Sequence, residues 1–171
     1  MNNGHRYYGK YRGMVINNVD PLQIGRLQVQ VPDVGGLIPS SWAMPCLPVA
    51  GPLMGVFTVP PVGAGVWVEF ERGDPEYPIW TGCYWGSAAE VPPLARLTPP
   101  AATQLTVQTT LQNGFTVSDL SGPTGGIMLK SATGASIIVN DTGIYIQNGK
   151  GASITMVGPS VTINNGALKI V

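Results

Sequence analysis

The run Ile137-Ile138-Val139-Asn140-Asp141-Thr142-Gly143-Ile144-Tyr145-Ile146-Gln147-Asn148-Gly149 states a unit that the chain goes on repeating: an apolar residue, any residue, a second apolar residue, then a turn. The pairs are Ile127/Leu129, Ile137/Val139, Ile144/Ile146, Ile154/Met156, Val161/Ile163 and Leu168/Ile170. Their first members stand 10, 7, 10, 7 and 7 residues apart. Gly125-Gly126, Thr133-Gly134, Asp141-Thr142-Gly143, Asn148-Gly149, Gly158-Pro159 and Asn164-Asn165-Gly166 fill the gaps. These residue types accept the backbone angles of tight turns. Self-similarity at a short period marks an internal repeat.

Each unit predicts a strand of about four or five residues that offers two large side chains to one face. Stacked in one chain, such strands make a narrow sheet with one apolar face, and the remaining sequence supplies no helix or second sheet to cover it. The cover must come from copies of the same chain. A threefold arrangement closes three sheets into a prism. Its axis is then filled by Ile127, Leu129, Ile137, Val139, Ile144, Ile146, Ile154, Met156, Val161 and Ile163, while Lys130, Ser136, Asn140, Tyr145, Gln147, Thr155 and Thr162 face water. At ~4.8 Å per strand the rod is about 35 Å long. The spacing permits either a winding β-helix or an antiparallel meander.

Composition agrees with an all-β chain. Of 171 residues, 44% are hydrophobic, 23 are Gly and 16 are Pro. Charged residues make up 11%, against roughly 25% in an ordinary soluble domain. That excludes disorder and favours short strands joined by many turns. Nine basic and nine acidic side chains cancel, so no global field draws in nucleic acid. No apolar run reaches the ~18 residues of a membrane span, and the start lacks a secretory signal, so synthesis in the cytoplasm is expected. Cys46 and Cys83 stand apart in apolar sequence and read as buried reduced thiols.

The first half predicts strands over 7–17, 26–31, 42–46, 65–71 and 78–84. Leu27, Val29 and Val31 alternate with Arg26, Gln28 and Gln30, and Val66, Val68 and Phe70 alternate with Trp67 and Glu69. One face is therefore buried, and a small closed barrel satisfies the pattern without leaving sheet edges open. The domain organisation is a barrel over 1–90, a Pro-rich linker over 91–104 and the rod over 105–171.

The phrases Tyr8-Gly9-Lys10-Tyr11-Arg12-Gly13, Asp20-Pro21, Gly25-Arg26-Leu27, Ser41-Trp42-Ala43 and Phe70-Glu71-Arg72-Gly73-Asp74-Pro75 occur in order across roughly residues 7–86. This stretch resembles the oligomer-binding (OB) fold domain of baseplate assembly protein V, of the central spikes of contractile phage tails and of the related VgrG spikes. The resemblance implies an OB-fold barrel followed by a trimeric, intertwined β-helix or β-prism needle, a homotrimer at the centre of a baseplate. Such a spike docks on a hub, contacts the target membrane transiently and punctures the envelope, as part of a virion tail or injection particle. With the barrel starting close to Met1, the hub is expected to be a separate chain. The linker is too short for the lysozyme domain that some members carry. The only histidine, His5, lies far from the needle end, so no iron-binding apex is expected. Leu168, Ile170 and Val171 make a blunt apolar end suited to a separate tip protein of the PAAR type.

No residue set predicts catalysis, a metal or a cofactor. Glu69, Glu71, Asp74 and Glu76 stand beside Arg72 and read as solvated charge at a strand end, and Asp119 and Asp141 read as turn residues. The cluster of Arg6, Tyr7, Tyr8, Lys10, Tyr11 and Arg12 offers the aromatics of a nucleic-acid barrel. However, residues 1–90 carry five basic against seven acidic side chains, which opposes a polyanion. The rival reading is a trimeric tail-fibre or adhesin-type stalk whose Trp42, Trp67, Trp80 and Trp85 bind surface carbohydrate. Each of those tryptophans is expected in a strand, where packing is the default role.

Overall fold

Residues that alternate between apolar and polar in the first half form strands because only one side of each reaches the core. The computed structural model describes residues 4–170. Two units divide the described chain between Ala88 and Ala89.

The first unit contains β1 (Tyr11–Asn17), β2 (Gln28–Gln30), a one-turn helix α1 (Pro32–Gly35), β3 (Met44–Pro45), β4 (Ala50–Gly51), β5 (Met54–Gly55), β6 (Gly65–Phe70) and β7 (Pro78–Tyr84). Five strands form a sheet in the order β2-β1-β6-β7-β3, antiparallel except for the parallel pair β3 and β7. Leu27 and Ala43 exchange backbone hydrogen bonds of 3.1 and 2.7 Å, which joins the two outer strands and closes the barrel. Closure removes the open edges that would otherwise recruit other chains. Val15, Leu27, Val29, Ala43, Val66 and Val68 are wholly buried at the centre.

Trp80 supplies the largest core side chain that also carries a polar group. It is 4% exposed, and its Nε1 donates to the Gly25 carbonyl at 3.0 Å. Trp42 precedes β3 and Trp85 follows β7, so two of the four tryptophans lie outside the strands where they were expected. Cys46 and Cys83 are exposed rather than buried. Cys46 falls just beyond β3, and Cys83 is the last residue but one of β7.

The second unit is one eight-stranded sheet: β8 (Gln104–Gln108), β9 (Gly114–Ser118), β10 (Gly126–Lys130), β11 (Ser136–Asn140), β12 (Gly143–Gln147), β13 (Ser153–Val157), β14 (Ser160–Ile163) and β15 (Leu168–Ile170). Each strand pairs antiparallel with its neighbours in sequence. Within the chain the described strands thus form an antiparallel meander. Two strands, β8 and β9, precede the first repeat recognised in the sequence, and they carry the same apolar pairs, Leu105/Val107 and Phe115/Val117.

The Pro-rich segment is not a free linker. It folds with the second unit as a short 3-10 turn, Pro93–Arg96, whose Leu94 is 4% exposed. Leu94 N donates to Gln108 Oε1 at 3.0 Å, Gln104 Nε2 donates to the Ala95 carbonyl at 2.6 Å, and Thr98 Oγ1 donates to Ser118 Oγ at 3.3 Å. Proline-imposed backbone angles hold this segment across the first strands, where it buries Thr116 and Ser118. One end of the sheet is capped by it.

Candidate functional site: an uncovered apolar face

Antiparallel register decides what the repeated pairs do together. Ile137 stands opposite Leu129 on one side and Ile146 on the other, and Val139 opposite Ile127 and Ile144. Ile146 faces Ile154, which faces Ile163, which faces Leu168; Ile144 faces Met156, which faces Val161, which faces Ile170. Through Phe115 and Val107 on one side, and Val117 and Leu105 on the other, both series continue to β8. The result is two parallel columns, eight side chains tall, on one face of the sheet.

All ten residues expected at an axis belong to these columns. The described residues leave them open: Ile127 and Leu129 are each 49% exposed, and Leu105 is 58% exposed. Leu168 and Ile170 form the last rung of the same columns rather than a separate surface, and Val171 lies outside the described residues. Contiguous apolar surface on this scale marks an interaction site. One column and the turns beside it line a groove of about 860 Å³, with Leu129, Ile137, Ile146, Ile154 and Ile163 along its floor.

On the opposite face lie the polar neighbours, although not all of them face water. Ser136 is buried and accepts a hydrogen bond from Gln147 Nε2 at 3.0 Å. The turns also bind one another along both edges. Ala132 N donates to Asn113 Oδ1 and Ser153 N to Asn164 Oδ1, each at 3.0 Å. On the other edge Gly122 N donates to Asp141 Oδ2 at 3.0 Å and Asn140 Nδ2 to the Pro123 carbonyl at 3.1 Å. Gly149, at φ +72°, has no room for a side chain, because a Cβ there would lie 2.6 Å from the Thr133 carbonyl oxygen of the neighbouring turn. Asn and Gly at these places therefore serve stacking as well as turning.

Several of the barrel's charged side chains have partners within it. Arg6 pairs with Asp74 and Lys10 with Glu69, both at 3.0 Å. Arg12 lies over the rings of Trp67 and Tyr84, at 5.7 and 5.5 Å. Tyr7 and Tyr11 pack their rings against Phe70. The basic and aromatic cluster of the sequence is thus divided among separate partners. Strand β6 ends at Phe70, and Glu71 opens a 3-10 turn, so Glu69 and Glu71 do not share a strand face. Gly73 in that turn, at φ +75°, accepts the Tyr7 N–H at 2.8 Å, which explains why the phrase around it ends as it does. Among the described residues no three His, Cys, Asp or Glu side chains cluster as a metal site would need, and no helix is long and apolar enough to cross a membrane.

The loop between β1 and β2 is organised by one ion pair that the sequence did not single out as a unit. Asp20 Oδ1 meets Arg26 Nη2 at 2.7 Å, and its two oxygens also accept the backbone N–H groups of Leu22, Ile24 and Arg26. The Arg26 guanidinium, aided by those amides against the cost of desolvation, holds the Asp20 carboxyl far below the ordinary carboxylate range. The phrases Asp20-Pro21 and Gly25-Arg26 carried this signal.

A closed barrel joined to a sheet that displays an uncovered apolar face defines a structural subunit built for assembly. Residues 11–85 match the family model of the type VI secretion system/phage-baseplate injector OB domain, and residues 104–169 match that of the phage baseplate V C-terminal trimerisation domain. The chain belongs to the phage baseplate V family, as a spike component of a phage tail or injection machine that trimerises through its C-terminal part. No curated protein matches it.

Proposed function

We propose that this chain forms the homotrimeric central spike of a contractile baseplate, docking through its barrel on a separate hub and leading the tube through the target envelope with its needle. The observation that carries the reading is the pair of apolar columns, which are in register over eight strands and which the described residues leave open. Three such faces turned toward a common axis bury all of them, as separate copies in water must. The role is mechanical rather than catalytic. Pushing three sheets apart exposes both columns of every copy at once, and the stacked turns brace each edge. At the far end, β15 presents an outer strand edge and the last apolar rung, the place for a tip protein of the PAAR type.

The test is the mass of the purified protein in solution across a dilution series. The expected result is a persistent species near three times 17.9 kDa, lost in Ile146→Asp and retained in Thr155→Asp, whose side chain lies on the opposite face. Equal effects of the two substitutions would overturn the axial assignment. For the puncturing role, particles carrying a chain ended before β8 are expected to contract without permeabilising target cells. Undiminished permeabilisation would remove the needle from the mechanism.

A further inference from the structure

Between Asp33 and Glu69 the chain carries no charged residue, yet much of this stretch is at the surface. Its most prominent feature is the hairpin of β4 and β5, whose turn is Pro52-Leu53. Leu53 is fully exposed at the tip, followed by Met54 at 64%. Leu53 also adopts φ +60°, the left-handed conformation that Gly or Asn takes at this turn position without strain. A branched apolar side chain held at a solvent-exposed tip against its own backbone preference points to a contact made elsewhere.

The same barrel carries a cavity of about 440 Å³ walled by Tyr7, Val31, Val34, Ile38 and Phe70, with Glu76 the one charged residue on its lining. The hairpin cannot fill it within one chain. Phe57 packs near Gly25, and Asn18 Nδ2 holds the Pro60 carbonyl at 3.1 Å, which roots the hairpin at the Asn17–Gly65 end of the barrel. The cavity opens at the Val31–Phe70 end, the length of β6 away, about 20 Å. A knob and a hole at opposite ends of one subunit have the geometry of a head-to-tail contact between copies, which makes a ring where the rotation between copies closes.

We infer that in the trimer the Leu53 tip of each barrel seats in the Val34–Ile38 cavity of the next, a second ring of contacts that joins the barrels independently of the needle. The inference rests on the trimeric reading above, which brings the copies together. The tip is apolar and the cavity wall mostly so, with Glu76 the one charge beside the seated side chain.

Cross-linking tests it. In a Cys46→Ser, Cys83→Ser background, Leu53→Cys combined with Ile38→Cys is oxidised after its mass has been measured. The expected result is a trimer that yields covalent dimers and trimers on denaturing gels, at least tenfold above either single-cysteine control. A trimer that gives no such ladder, or only an intrachain bridge, would overturn the contact while leaving the needle axis standing. If Leu53→Asp in that unlinked trimer abolishes capture of the hub candidate, the hairpin belongs to the hub instead. A monomeric wild-type protein would overturn the trimer reading itself and this contact with it.

Discussion

The Asp20 carboxylate and the Arg26 guanidinium lie 2.7 Å apart and are both largely buried, and between them they fix a loop that has no strand or helix of its own. Arg26 is held from a second side by Trp42, whose ring lies 5.3 Å from the guanidinium carbon. Removing one partner strands the other.

The pH dependence follows from the depressed Asp20 pKa. A carboxyl held below its unfolded value of about 3.9 contributes stability in full above that value and loses it as pH falls toward the folded value. Asp20→Asn is expected to melt below the wild type at pH 7, with the gap narrowing below about pH 4. Thermal melts at pH 7 and pH 2.5 check this, and a gap unchanged between them would remove ionisation from the explanation.

Trp80→Phe keeps an aromatic ring in the barrel core but takes away the donor to Gly25. The carbonyl is then left buried without its partner, at a cost of about 1–3 kcal/mol. Chemical denaturation of the barrel should show this loss with the slope of the transition unchanged.

Ile154→Ala probes the columns. With the residue on a closed axis, truncation costs about 2–5 kcal/mol per site and acts three times in each trimer. A dilution series followed by sedimentation should show dissociation at far higher concentration than for the wild type. Left facing water in a monomer, the same change would cost little.

Gly149→Ala tests the stacked turns. The left-handed backbone costs an alanine about 1–2 kcal/mol, and its Cβ meets the Thr133 carbonyl besides. Needle stability is expected to fall by more than it does for Gly151→Ala, where the backbone is also left-handed but nothing lies within 4 Å of a side chain.

Much of this was legible because period-2 alternation maps directly onto a two-sided sheet. Leu27, Val29, Val31, Val66, Val68 and Phe70 could be read as core, since their neighbours are polar. The pairs from Ile127 to Ile170 could be read as one face because the turns between them keep the same hand of side chain inward. Leu105/Val107 and Phe115/Val117 are harder to read as part of the series because the long turn between β9 and β10 sets Phe115 12 residues before Ile127, outside the 10-and-7 rhythm. The collar over β8 and β9 was hidden for a different reason. Prolines announce a loop but not what the loop lies against, and the contacts of Leu94 with Gln108 and of Thr98 with Ser118 join residues whose types carry no pairing signal. Cys46 and Cys83 are exposed although their sequence neighbours are apolar, because apolar residues such as Val49, Leu53 and Met54 themselves stand at the surface of this barrel.

The unbroken neighbour-to-neighbour order of β8 through β15 bears on how the needle comes into being. Every pairing in that sheet joins segments adjacent along the chain, so contact order is low and little loop entropy opposes each addition. A strand can settle on its predecessor as soon as it leaves the ribosome, beginning at the collared end and finishing at β15. Each chain thus specifies its own sheet from one end to the other, and what assembly has to add is the cover for the two columns, not the strand pairing itself.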